Sequence, residues 1–177
     1  MRLTTIARPG SDEYDPYFDT YISKVPEQDL HELLASQIEG TCAMLGKVPE
    51  SEADCAYAPG KWTIKEVAGH IVDTERIMAY RLLRVARGDT TPLPGFEQDD
   101  YIRDGNFQER TLASLIKEFR LVRTSTCALL QGLNGAALAR RGSANGKTVS
   151  ARALAYIIAG HERHHVGILQ QRYGLSA

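Results

Sequence analysis

Apolar residues recur at helical spacing in four stretches of the chain, separated by segments rich in Gly, Pro and acid. The first stretch carries Leu30, Leu33, Leu34, Ile38 and Leu45; Pro26 suits its first turn, and Gly46 and Pro49 stop it. The second carries Ile64, Val67, Ile71, Met78, Leu82 and Val85. Ahead of it, Thr63-Ile64-Lys65-Glu66 is a capping box, in which Thr63 and Glu66 satisfy each other's free backbone N–H groups; Gly88 ends the helix near Arg87. The third runs from about Thr111 to Gln131 on Leu112, Leu115, Ile116, Phe119, Val122, Leu129 and Leu130. The fourth starts near Ser150, with Val149 and Leu154 as a hydrophobic staple, and ends at Tyr173-Gly174. No convincing strand alternation appears, so the pattern predicts an all-α, four-helix bundle.

Residues 1–25, with Pro9, Gly10 and Pro16, are expected as an irregular lead-in, ahead of a single bundle domain over 26–177. Loops are expected over 47–61 and, as a Gly-rich turn, over 132–146. The longest irregular stretch is 88–110. It can run back along a helix of about 35 Å, which would make helices two and three parallel and depart from a simple up-down-up-down order. Loops of this length are often functional. Phe96, Glu97, Gln98, Asp99, Asp100 and Tyr101 make this one a candidate lid or pocket wall, with an ordinary solvated acidic loop as the alternative.

Composition narrows the field. The 177 residues are 43% apolar and 24% charged, enough for a folded domain with a real core. Lys plus Arg number 21 and Asp plus Glu 22. That balance excludes a nucleic-acid binder and a polybasic membrane-surface protein. The cysteines, Cys42, Cys55 and Cys127, are odd in number, far apart and without a C-x-x-C. They argue against a disulfide framework and a cysteine zinc site; free thiols packed in the core and a reducing compartment are the expectation. Met1–Gly10 has no apolar run of signal-peptide length, and no stretch reaches membrane-span length, so a cytoplasmic location is expected.

Three of the five histidines lie in His161-Glu162-Arg163-His164-His165. On a helical wheel with Leu154 at 0°, His161 falls at about −20° and His165 at about +20°, within the arc of Leu154, Ile157, Ile158, Ile168 and Leu169. Glu162 and His164 lie at the two edges of that arc, near about +80° and −80°. Buried imidazoles need partners, and one-turn spacing lets two of them share a metal ion. His70, on the flank of the second helix's apolar stripe, can meet the pair if the helices pack side by side; bundle cores hold metal sites built this way. Without a metal, these would be hydrogen-bonded core histidines. His31 and His164 are expected at the surface or behind the ligands, and Tyr156 and Trp62 as packing residues.

The same five residues match H-E-x-x-H, the zinc-protease signature in which the Glu activates water. The extended form of that signature needs Gly and His further on, where Ile168 and Gln171 stand. The sheet of such proteases also has no counterpart in the pattern. A protease is therefore the weaker reading.

Lys61-Trp62-Thr63-Ile64-Lys65-Glu66-Val67-Ala68-Gly69-His70 and Ala159-Gly160-His161-Glu162-Arg163-His164-His165, in this order and separation, resemble the DinB/YfiT-like superfamily of small metal-binding bundles. The resemblance covers nearly the whole chain. It implies an up-down-down-up bundle with a long crossover between helices two and three. It also implies a divalent metal, Zn or Ni foremost, on three histidines that fall here at His70, His161 and His165. Homodimers are common in the superfamily, and so one is expected here. Relatives include bacillithiol S-transferases and mycothiol-dependent maleylpyruvate isomerase. The functional expectation is thus a thiol-dependent transferase acting on small molecules, with Glu162 and His164 as supporting or proton-transfer groups. A metal-dependent hydrolase and a non-catalytic metal-binding stress protein are the alternatives.

Overall fold

A computed structural model describes residues 3–26 and 29–176. Four long helices dominate: α2 (Leu30–Gly46), α3 (Ile64–Ala86), α5 (Leu112–Gln131) and α7 (Ala151–Tyr173). Short ones lie between them: α1 (Asp19–Ile22), α4 (Gln98–Asp104) and α6 (Gly135–Ala139). Caps set the boundaries. Thr63 and Glu66 form the expected box at α3, while Ser150 and Thr111 accept from the first turns of α7 and α5. Gly174 closes α7 at φ 71°, a left-handed cap that suits glycine. Helix α2 begins at Leu30 rather than near Pro26, because the Asp29 carboxylate caps the amides of His31 and Glu32.

Cross-helix pairs set the directions. Along α3 and α5, Lys65 and Leu112 share Glu50 at one end, and Glu75 meets Arg123 further up, so the two helices run parallel. Their connection crosses the bundle. Along α3 and α7 the pairs descend, from Trp62 with Tyr173 to His70 with His161, so these helices are antiparallel.

Three expectations need correction. The Gly-rich stretch expected as a turn over 132–146 leads into a hairpin, β1 (Arg141–Ala144) with β2 (Lys147–Ser150), paired Arg141 to Ser150 and Ala144 to Lys147. Its turn is Asn145-Gly146, both at positive φ (52° and 71°), a strong hairpin signal that four-residue strands were too short to echo in alternation. The 88–110 stretch is not wholly irregular, since it contains α4 and a short 3-10 turn. The lead-in is not wholly irregular either: it holds two 3-10 turns and α1, and its Ile6, Ile22 and Val25 are buried with Leu154 and Ile158 in one apolar cluster. Arg8 fixes it by donating to the carbonyls of Val25 and Ile22, and His31 contacts Thr4 O at 3.1 Å.

The core is split. One apolar cluster holds Leu30, Leu82, Leu130 and Leu154; another holds Leu45, Ile71, Phe119 and Leu169. Between them lies a belt of buried polar side chains: His70, Thr74, Glu75, Arg123, His161, Glu162 and His165. On one side of the belt Arg123 bonds both oxygens of Glu75 (2.9 and 2.8 Å), Glu162 (2.7 Å) and Leu34 O (2.9 Å). Thr41 (2.6 Å) and Gln37 complete the bonding of Glu162. All four long helices meet in that network. No helix among the described residues is long and apolar enough to cross a membrane.

Candidate metal centre

His70 comes from the second turn of α3, and His161 and His165 from successive turns of α7. One ligand-capable atom from each lies within 4.8 Å of the others, with the Nε2 atoms of His70 and His161 3.0 Å apart. All three side chains are buried. Gly160 makes room for this packing: a Cβ there would meet Tyr21 O at 2.1 Å, so only glycine lets α1 lie against α7. The Tyr21 ring then stands edge-on to His161 at 5.2 Å, and Trp62 lies 4.8 Å from His70.

Burial pushes the His70 pKa down to about 4 and that of His165 to about 3. Burial likewise holds His161 well below the usual value, with His165 and His70 adding to the effect. The rings are therefore neutral at pH 7, the form that ligates metals. Three neutral imidazoles with convergent nitrogens fit a divalent metal ion.

Glu162 and His164 stand apart from this cluster. Glu162 is spent on Arg123, Thr41 and Gln37. His164 is half-buried, its ring 5.0 Å from that of His165 and 5.4 Å from that of Tyr21, and burial lowers its pKa. Tyr156 is a packing residue as expected, fully buried with its hydroxyl on Ile6 O at 3.3 Å. Of the cysteines, Cys42 is buried and Cys127 half-buried, but Cys55 is exposed, against the expectation of core packing.

Two cavities meet at the histidines. One, about 350 Å³, is walled by His70 and His161 together with Thr74, Arg81 and Phe96. The other, about 410 Å³, is walled by His165 and His164 with Trp62, Tyr57 and Tyr173. Tyr17, Tyr21 and Gln98 line both. Segment 95–98 of the long connection thus serves as cavity wall. Tyr17, Tyr21, Thr74 and Arg81 were not singled out from sequence. The tyrosines lie in the supposed lead-in, and Thr74 and Arg81 follow His70 at four and eleven residues, a one-face spacing that could have marked them.

A bundle with three convergent histidines bordering two cavities defines a class of candidate small-molecule metalloproteins. Residues 28–169 match the DinB superfamily, and the chain belongs to it. It is similar to the Oceanobacillus iheyensis protein named "Putative metal-dependent hydrolase OB0413", at 35% identity over 83 residues, 44% of this chain and 47% of that protein. The match thus spans about half the length of that relative. Among solved structures, YfiT from Bacillus subtilis, titled a probable metal-dependent hydrolase with an unusual four-helix bundle topology, aligns with a TM-score of 0.69 at 17% identity, covering 93% of this chain and 95% of that one. The mycothiol-dependent maleylpyruvate isomerase aligns with a TM-score of 0.65 at 15% identity, covering 82% of this chain and 61% of that one. These two likenesses concern the fold.

Proposed function

We propose that His70, His161 and His165 hold one divalent cation, Zn or Ni, and that the protein joins a low-molecular-weight thiol to a small electrophile. The observation that carries this reading is the pair of cavities, about 350 and 410 Å³, bordered by one histidine cluster. A transfer between two molecules needs both held at one centre, whereas hydrolysis needs room for a single substrate and water. When bound, the ion supplies positive charge that favours a thiol as thiolate at neutral pH.

The chain's own residues do the remainder. His70, His161 and His165 would hold the ion as uncharged ligands, and so would not diminish its charge. Tyr21 and Trp62 pack against His161 and His70 and so hold the ring planes. Glu162, held by Arg123, keeps α7 in place and so positions His161; its carboxylate is already engaged, which argues against the water-activating role of a zinc-protease Glu. His164 lines the second cavity and is placed to pass a proton there. In the reaction an S–C bond forms as the bond from carbon to the leaving group breaks, and the thiol proton departs with that group.

The test is conjugation of cysteine, bacillithiol or mycothiol to monochlorobimane by protein loaded with Zn or Ni. Conjugation above the uncatalysed rate, lost in His161→Ala, is expected; no acceleration with any of the three thiols would overturn the transferase reading. The second reading, a metal-dependent hydrolase, is favoured by the names given to two of the similar proteins. It predicts ester or amide turnover without thiol.

A further inference from the structure

Beside the histidine cluster, two side chains on one cavity carry unused bonding capacity: Arg81 and Thr74. Both are buried, 6% and 3% exposed, and both line the 350 Å³ cavity beside His70 and His161. The Thr74 hydroxyl has no hydrogen-bond partner among the described residues. A buried hydroxyl without a partner is destabilising, a cost that a ligand completing its bonding would offset.

Arg81 is unusual in a different way. Among the described residues, the other buried Arg and Lys side chains have carboxylates: Arg123 has Glu75 and Glu162, and Lys65 has Glu50 and Asp54. Arg81 has none within ion-pair distance among the described residues. Its partners are Pro94 O at 2.6 Å, Met78 Sδ at 3.8 Å and the face of Phe96 at 5.7 Å. A guanidinium carries five N–H donors in a planar fork, so most of its capacity is unspent. Burial pushes its pKa down, which is the mark of a cation without a counter-ion. The contact with Met78, one turn earlier in α3, shows that the guanidinium points back toward the His70 end of the helix. The other charges on this cavity are accounted for: Asp15 and Lys147 pair at 3.3 Å, and Glu97 is exposed.

We infer that Arg81 and Thr74 form a carboxylate-binding subsite, and that the small molecule entering this cavity carries a carboxylate at the Arg81 end and its reacting group at the histidine end. The inference rests on the two-cavity reading above and names the substrate class for one of the cavities. Along α3, Thr74 lies about 6 Å and Arg81 about 16 Å beyond His70 in helix rise, and the arginine side chain folds back over part of that distance. A carboxylate separated by a few carbons from the reacting atom spans the remainder. Phe18, Phe96 and Leu154 give its body an apolar wall. At the end of the cavity away from the histidines, one guanidinium without a counter-ion and one hydroxyl match a carboxylate monoanion.

Isothermal titration with 4-phenylbutyrate and with its neutral amide tests this, on the metal-loaded protein and again after chelation. The carboxylate is expected to bind at least tenfold more tightly than the amide in both forms. Arg81→Gln should erase that preference. Thr74→Val should weaken carboxylate binding severalfold while leaving the thermal midpoint unchanged or higher, since it removes only the orphan hydroxyl. Equal binding of acid and amide to wild type, or a preference that survives both substitutions, would overturn the subsite. So would a preference abolished by chelation, because the carboxylate would then sit on the metal. Because thiol conjugation is not measured, failure of the transferase reading leaves this result intact, and the reverse also holds.

Discussion

The guanidinium of Arg123 bonds Glu75, Glu162 and the backbone of Leu34, and these three charged side chains are 1–3% exposed. Arg123→Met would leave two carboxylates buried without a cation, a kind of loss that costs about 3–5 kcal/mol. The urea midpoint should fall accordingly, and an unchanged midpoint would refute the network's role. A second charged pair gives a pH dependence. Glu13, 4% exposed, is bonded by Arg152 and by the amide of Gly10, and the Arg152 bond leads in pushing its pKa down to about 2. The folded value lies below the unfolded one, so this contribution is complete above the ordinary carboxylate range and is lost as pH falls from about 4.5 toward 2. Thermal midpoints of Glu13→Gln should therefore fall less steeply than those of wild type over that window; parallel curves would count against it. The sequence carried a trace of these pairs. Glu75 stands four residues after Ile71, and Arg123 four after Phe119, both on apolar stripes where a charge needs a partner. The identity of the partner was not legible, because Arg123 and Glu75 are 48 residues apart and meet only once the bundle is folded.

At the scale of elements, the long helices were legible because caps and period agree: Thr63, Thr111 and Ser150 each cap the helix that the apolar spacing announces. The misses were short pieces. The hairpin carries its signal in Asn145-Gly146 alone, and α1 is a single turn whose placement comes from tertiary contact with α7. That contact makes Gly160 decisive. Gly160→Ala would drive a Cβ into the backbone of Tyr21 and push α1 away from His161. Overpacking of this kind costs about 1–3 kcal/mol. The variant should lose that much stability in urea and bind metal more weakly. Full stability together with unaltered metal affinity would mean that α1 does not brace the site.

At the scale of the molecule, two apolar clusters are separated by a polar belt, and the belt carries two different jobs. One part, around Arg123, ties the four long helices together through ion pairs and hydrogen bonds. The other, around the three histidines, opens to two cavities. The near-neutral composition fits this division, since the chemistry proposed for the chain lies inside the bundle rather than on a charged surface. The sequence disclosed the histidine side through spacing on one helix face; it could not disclose the 350 Å³ cavity, whose walls draw on α1, α3, the 95–98 segment and the hairpin together. The central claim is that His70, His161 and His165 bind one ion. Elemental analysis by mass spectrometry, after loading with Zn or Ni and removal of free ion, tests it most directly. Wild type should hold one ion per chain, and His70→Ala, His161→Ala and His165→Ala should each hold little or none; a metal-free wild type, or full occupancy in any of the three variants, would contradict it.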